Sequence, residues 1–311
     1  MKNNLLISII IPVYNSENTI ELVCKKIFDS LRNEFNFEII IVNDCSKDDS
    51  ISKCKSIFER NNNIIFLNLS KNFGQHNAIL AGLSFASGEN IIFLDDDLQT
   101  PPEEIKKLVL KLEEGYDVVF ANYMHKEHSL LKNMGSKIND IMLNILLKKS
   151  KSIQITSYFI IRKFLADEIL KYSGPYPYLG GLILRSTDNI GIVYVDHQQR
   201  KVGKTGYNFL KLLKLWVNGY TNFSIEPLRI SFLLGVFISL ISFIFTFIFI
   251  IRKIMNPDII IGWTSIISVL FFFFGLQLII TGVIGEYVGR IFLNLNMQPQ
   301  YVIKDIYNYK E

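Results

Sequence analysis

"NIIFLDDDLQTPP", residues 90–102, runs from four apolar residues, Ile91 to Leu94, straight into three carboxylates and then two prolines. A buried strand ending in Asp95, Asp96 and Asp97 sets like charges side by side. Such a cluster is costly unless a cation shares the site. Carboxylate oxygens suit a hard divalent ion, Mg²⁺ or Mn²⁺. Such an ion takes one or two carboxylates and leaves the rest of its shell to phosphates and water. A solvated loop at a strand end is the plainer reading of the same residues.

The preceding residues alternate strand and helix patterns. "LLISIIIPV" (5–13), "FEIIIVND" (37–44) and "NIIFLNLS" (63–70) are apolar runs of strand length. Between them lie amphipathic helical patterns. In "SENTIELVCKKIFDSLRNE" (16–34), Ile20, Val23, Ile27 and Leu31 fall at helical spacing, and Ser16 or Asn18 is placed to cap the helix. Helices are also predicted over 48–61, 75–86 and 103–114, and a fifth strand over 116–123. Strands apolar on both faces, alternating with helices, predict an α/β fold. Its sheet is mostly parallel, with helices on both faces. Ligands of such sheets bind beyond the carboxyl ends of the strands, where Asp44 and Asp95 to Asp97 all fall.

The chain has 311 residues, enough for one large domain and something smaller. The net charge of +4 is mild and implies no nucleic-acid partner, while leaving room for a basic surface against anionic lipid. Cys24, Cys45 and Cys54 are odd in number and form no CxxC pair, which fits a reducing compartment. The apolar N-terminus breaks at Pro12 and lacks a small-residue cleavage site, so it reads as a strand rather than a signal peptide.

Apolar residues make up 49% of the chain and mean hydropathy is +0.26, with the excess in the last quarter. Residues 228–253 and 259–287 each hold an uncharged run of bilayer-spanning length, which takes roughly 20 residues. Two transmembrane helices are therefore predicted, at about 230–251 and 261–285, joined by the short loop "RKIMNPD". Lys201, Lys204, Lys211, Lys214 and Arg229 precede the first span and Arg290 follows the second. Both ends are then expected in the cytoplasm, with Arg252 and Lys253 in the loop opposing that bias. The expected layout is a cytoplasmic domain over 1–206, interfacial amphipathic helices over 207–227, a hairpin over 228–290 and a cytoplasmic tail over 291–311. Residues 129–149 are basic and amphipathic, fitting either a surface helix packed on the sheet or one lying on a membrane.

Other candidates flank the acidic cluster. Asp44, in "NDCSKDDS" (43–50), is placed either to cap the next helix or to accept a base N–H from a nucleotide. In "LSKNFGQHNA" (69–78), Gly74 permits close backbone approach and Lys71 is placed to meet a nucleotide. His76 reads first as a loop or capping histidine.

"SIIIPVYN", "NDCSKD", "KNFGQHNAILAGL" and "FLDDDLQTPPE", in that order, resemble family 2 glycosyltransferases of GT-A fold. "EEGYDVV", "RKVGKTGY", "TNFSIEPLR" and "GVIGEYVGRIF" extend the resemblance over about residues 6–303 to the polyprenyl-phosphate glycosyltransferases. That group includes the dolichyl-phosphate mannose synthases and bacterial undecaprenyl-phosphate sugar transferases. The resemblance implies a nucleobase pocket lined by Pro12, Tyr14 and Asp44, with Lys71 nearby. It makes Asp95 and Asp97 the aspartates of a DxD metal motif with Asp96 between them against the nucleotide, and adds Gln99 at the metal. Arg200 and Lys204 match basic residues that meet the acceptor phosphate or the diphosphate, and a solvated basic loop is the alternative. It also implies a nucleotide-sugar donor, UDP-linked, a polyprenyl phosphate acceptor, a homo-oligomer that is a tetramer by analogy, and a place in the cytoplasmic membrane.

One departure stands out. Many relatives carry a carboxylate in a Gly-Asp-Phe-Arg-like stretch, where this chain reads "TSYFIIRK" (156–163) with Tyr158 near the acidic position. It is similar there to the subgroup that transfers modified or amino sugars such as aminoarabinose. A general base matters for a hydroxyl nucleophile, whereas a lipid monophosphate, with a second pKa of about 6, is already an anion. Two other functions fit less well. A processive polysaccharide synthase would carry a QxxRW-type motif, and "HQQRKVGK" lacks it. A non-catalytic nucleotide-sensing scaffold would not need Asp95, Asp97 and Gln99. The absence of GxGxxG after the first strand argues against a dinucleotide oxidoreductase.

Overall fold

The computed structural model describes residues 3–123, 155–174, 177–195, 226–255, 262–296 and 299–308. The basic stretch 129–149, the segment carrying Arg200 and Lys204, and the aromatic-rich segment 207–224 lie outside the described residues. The chain divides into two compact units, one of Met1–Leu213 with Met297–Glu311, the other of Lys214–Asn296.

In the first unit the chain alternates β1 (Asn3–Val13), α1 (Ile20–Leu31), β2 (Phe35–Asn43), α2 (Ser50–Glu59), β3 (Ile64–Leu69), α3 (Gln75–Leu83) and β4 (Asn90–Phe93). Then follow α4 (Ile105–Glu113), β5 (Val118–Tyr123), β6 (Phe159–Arg162), α5 (Lys163–Leu170), α6 (Leu179–Ser186) and β7 (Ile190–Val195), and the last strand is β8 (Ile303–Tyr307). The eight strands form one sheet in the order β7-β5-β6-β4-β1-β2-β3-β8. β1 pairs in parallel with β2 and β4, and β2 with β3. β6 runs antiparallel to both β4 and β5, and β8 antiparallel to β3.

The connections explain where a ligand fits. From β1 the chain steps outward to β2 and β3, then crosses back to place β4 on the other flank of β1. β1 and β4 are therefore neighbours whose following loops diverge. The crevice beyond their carboxyl ends is the switch point of the sheet.

Alternation along β1 builds both faces. Ile7, Ile9 and Ile11 join the core beneath α1, α2 and α4, together with Val23, Ile27, Leu31, Leu108 and Leu112. Ile10 points the other way and meets α3. A Cβ on Gly82 of α3 would stand 2.6 Å from Ile10 Cγ2 and 3.0 Å from Val42 Cγ2, so glycine there sets how closely helix and sheet approach. Burial of both faces of β1 and β2 is why their sequences lack the apolar–polar alternation of a half-exposed strand.

The segment expected as a tail contributes β8, an edge strand of the same sheet. Tyr307 stacks on Phe66 of β3 at 5.3 Å between ring centroids, and the Ser70 N–H donates to the Val302 carbonyl at 2.9 Å.

The second unit holds α7 (Glu226–Met255) and α8 (Trp263–Leu295). Both are long and apolar enough to cross a bilayer, with mean hydropathy 2.3 over Leu228–Phe245 and 1.5 over Phe272–Leu295, and neither window is buried. Near the end of α8, Arg290 Nη2 donates to Glu286 Oε1 at 2.6 Å, an i,i+4 pair one helical turn apart.

Candidate active site

Asp44 directly follows β2, and its N–H donates to the Val13 carbonyl at 2.9 Å, which ties it to the end of β1. Its carboxylate accepts the backbone N–H groups of Phe73 at 2.7 Å and Gly74 at 2.8 Å. Gly74 has φ +89°, a left-handed conformation that glycine adopts without strain, and so delivers its N–H to Asp44 as α3 begins. Asp44 does not cap α2; that helix takes the Asp48 carboxylate on the Ser50 N–H at 3.1 Å. Burial pushes the Asp44 carboxyl up from its ordinary value, and the Phe73 and Gly74 N–H groups pull it partly back. A carboxylate offers about four acceptor positions, so one remains on each oxygen.

The three consecutive aspartates face different partners. Asp96 turns back across the switch point, where Oδ2 accepts the Tyr14 N–H at 3.2 Å and the Ser16 hydroxyl. Burial pushes its carboxyl up to about 7. The Asp95 and Asp97 charges add to that rise, and the Ser16 and Tyr14 hydrogen bonds oppose it. Asp95 accepts the Gln75 amide at 2.8 Å on Oδ1 and the Ser157 hydroxyl on Oδ2. Asp97 Oδ1 accepts the Gln99 N–H at 3.0 Å, closing a turn in which Leu98 has φ +62°. Burial, helped by the charges of Asp95 and Asp97, holds the Tyr123 phenol well above its ordinary range.

Among the described residues no three acidic, histidine or cysteine side chains form a ready metal cage. Asp95 and Asp97 instead offer a carboxylate-only, partial donor set, to which the side-chain oxygen of Gln99 would add. That chemistry fits a hard ion which keeps most of its shell for phosphate and water.

The other described candidates lie near the ends of β1 and β3. Tyr14, at the carboxyl end of β1, is 46% exposed, whereas Pro12 is buried within β1 opposite Val42. Lys71 is exposed, its Nζ 4.9 Å from the centroid of the Phe73 ring. Arg200 and Lys204 lie outside the described residues. His76 packs edge-on against Tyr178 at 5.6 Å. Its Nδ1 is sealed from solvent and has no hydrogen-bond partner among the described residues, and burial pushes its imidazole down to about 4.

One expectation from spacing changes. Ser16 does not cap α1, which starts at Thr19–Ile20 without a side-chain cap; its hydroxyl goes to Asp96 instead. Tyr158 is fully buried and donates its hydroxyl to the Pro101 carbonyl at 3.2 Å. Desolvation holds that phenol well above its ordinary range, so it is not a base. Its neighbour Ser157 is the residue of this segment that meets the acidic cluster. Ser157, Gln75, Ser46 and Asn15 are site-flanking residues that pattern reading passed over. The only signal for Asn15, Ser46 and Gln75 is position after a strand, and for Ser157 position just before β6.

A half-parallel sheet with carboxylates gathered at its switch point is the layout of a GT-A fold. Residues 8–170 match the family model "Glycosyl transferase family 2". The chain is 32% identical over 319 residues to the undecaprenyl-phosphate 4-deoxy-4-formamido-L-arabinose transferase of Proteus mirabilis, across 98% of this chain and 95% of that one. It is 33% identical over 307 residues to the transferase of the same name from Yersinia enterocolitica, across 96% and 93%. Its fold resembles glucosyl-3-phosphoglycerate synthase from Mycobacterium tuberculosis, solved with Mn²⁺, uridine diphosphate and phosphoglyceric acid. That match has TM-score 0.53 at 18% identity and covers 70% of this chain and 78% of that one. The chain belongs to glycosyl transferase family 2 and is a glycosyltransferase.

Proposed function

We propose that this glycosyltransferase moves one sugar from a UDP-linked donor to undecaprenyl phosphate, inverting the anomeric centre, with a divalent ion at Asp95 and Asp97. One observation carries the reading. A switch-point cluster of carboxylates belongs to the same chain as two apolar helices of bilayer length. The transferases from Proteus and Yersinia, alike over nearly the whole chain, carry the name of that lipid acceptor.

The residues divide the work. Tyr14 and Asp44 bound the donor's base, with Pro12 beneath and Lys71 at the rim. Asp44 keeps acceptor positions for a base N–H after binding Phe73 and Gly74. Asp95, Asp97 and Gln99 would hold Mg²⁺ or Mn²⁺, which when bound neutralises charge on the departing diphosphate. Asp96 serves differently, pinning the Tyr14 turn to the acidic loop.

An oxygen of the lipid phosphate forms the new bond to the anomeric carbon as the bond from that carbon to the diphosphate oxygen breaks. The electron pair leaves with the nucleoside diphosphate, and one displacement inverts configuration. The nucleophile carries no proton to remove, which agrees with a buried Tyr158 in place of a carboxylate. Positioning and charge neutralisation remain to be supplied, and Arg200 and Lys204 would steer the incoming phosphate.

The hairpin of α7 and α8 would anchor the enzyme in the cytoplasmic membrane, with 207–224 at the headgroups. β8 follows α8 in the chain yet pairs with β3, which supports an even number of crossings. The basic residues before α7 favour the cytoplasmic side for that domain.

The test is a panel of nucleotide sugars offered to the purified full-length enzyme with undecaprenyl phosphate and Mg²⁺ or Mn²⁺, scored as glycolipid. One UDP-sugar should give a monoglycosylated lipid phosphate. Product only with a sugar hydroxyl acceptor would refute the reading.

A further inference from the structure

β8 does more than close an edge of the sheet. Asp305, in its middle, accepts the Asn68 side-chain amide at 2.8 Å. Asn68 Oδ1 in turn accepts the Asn43 amide at 2.8 Å, and Asn43 Oδ1 accepts the Ser46 N–H at 3.3 Å. Ser46 Oγ then accepts the Asn15 N–H at 3.0 Å. Asn43, Asn68 and Ser46 are buried, so water does not substitute for a lost partner.

This line has a direction. A carboxylate only accepts hydrogen bonds. Asp305 therefore turns the NH₂ of Asn68 towards itself and the Asn68 oxygen towards Asn43. Asn43 must then present its own NH₂ to Asn68 and its oxygen to Ser46. Were either amide reversed, two donors or two acceptors would face each other in a dry interior. The relay ends at a residue that needs holding. Asn15 has φ +55°, an uncommon conformation for a residue with a side chain. Its Oδ1 accepts the Lys47 N–H at 2.8 Å, and it sits beside Tyr14, whose N–H goes to Asp96.

We propose that Asp305 is a positioning residue for the donor nucleotide: its carboxylate orients the Asn68–Asn43–Ser46 relay that holds the Tyr14–Asn15 turn in shape. The proposal rests on the reading that this turn lines the donor pocket. It gives the strand that follows the apolar hairpin an indirect part in nucleotide binding, through the relay.

Asp305→Ala removes the terminal acceptor, while Asp305→Asn keeps an oxygen there and should rescue. In full-length protein in nanodiscs, Asp305→Ala should weaken UDP binding about 5–10-fold, the scale of one buried hydrogen bond, with kcat at saturating donor little changed. It should also speed amide hydrogen exchange at Asn15 and Lys47 about 10-fold, without change in the β1 and β2 core amides. Asp305→Asn should match wild type in both measurements. Wild-type affinity and exchange in Asp305→Ala, or an Asn variant as impaired as the Ala variant, would overturn the proposal. If wild type binds no UDP, the donor reading fails separately. The exchange rates at Asn15 and Lys47 then decide the relay by themselves.

Discussion

The Asp44 carboxylate holds the Gly74 backbone N–H at 2.8 Å, so the loop that ends β2 fixes the loop that starts α3. The second oxygen takes Phe73 in the same way. Asp44→Asn leaves one oxygen for two N–H groups and sets an NH₂ against the other. Hydrogen bonds to charged groups contribute about 1.5–3 kcal/mol. The variant should lose about 2 kcal/mol of sheet-domain stability and bind UDP more weakly. Denaturant midpoints of the full-length protein measure the first effect; an unchanged midpoint would contradict the fork.

Asp97→Asn keeps shape and removes charge at the proposed ion site. Transfer should fall on the order of 10²–10³-fold, the scale of losing one strong transition-state charge interaction. Mn²⁺-dependent UDP binding should weaken in parallel. Titrations with and without the ion read this, and wild-type turnover in the variant would defeat the metal assignment.

Arg200→Ala should raise the KM for undecaprenyl phosphate about 10-fold or more, as expected for one charge-assisted contact, and leave UDP affinity nearly unchanged. Equal effects on both ligands would move Arg200 to the diphosphate side instead.

His76 ties stability to pH. Burial pushes its imidazole down to about 4 in the folded protein. The unfolded chain, with histidine near 6.5, takes up a proton first as pH falls. His76 therefore makes folded stability decline between about 6.5 and 4, with the full contribution present above that window. His76→Phe keeps an aromatic ring against Tyr178 and removes the titration. Its stability should fall less steeply over that window, by on the order of 1–3 kcal/mol. Parallel stability–pH curves for both proteins would refute this.

Gly82→Ala should destabilise the sheet domain by about 1–3 kcal/mol, an overpacking cost, because the new Cβ meets Ile10 Cγ2 at 2.6 Å. A melting point at or above wild type would show that α3 can shift away freely.

Local pattern made the parallel half of the sheet legible. Apolar runs of strand length and amphipathic spacing such as Ile20, Val23, Ile27 and Leu31 reflect burial that each segment carries in itself. The acidic cluster was legible because like charges at a strand end need a reason. What local pattern missed depends on distant partners. β8 is five residues long, includes Lys304 and Asp305, and pairs with β3 across more than two hundred residues of chain, so it read as a tail. Ser16 precedes a helix and so read as a cap, yet its hydroxyl serves Asp96 from the far side of the switch point. The family resemblance puts Tyr158 near an acidic position, and only packing reveals its hydroxyl on Pro101.

The central claim is that an already ionised lipid phosphate displaces the nucleotide from the sugar with help from an ion held by Asp95 and Asp97. The most direct measurement is the initial rate of sugar transfer from the preferred UDP-sugar to undecaprenyl phosphate and to undecaprenol, each before and after removal of divalent ions. The account predicts rapid transfer to the phosphate alone, lost on chelation and restored by Mg²⁺ or Mn²⁺. Equal transfer to the alcohol, or full activity after chelation, would contradict it.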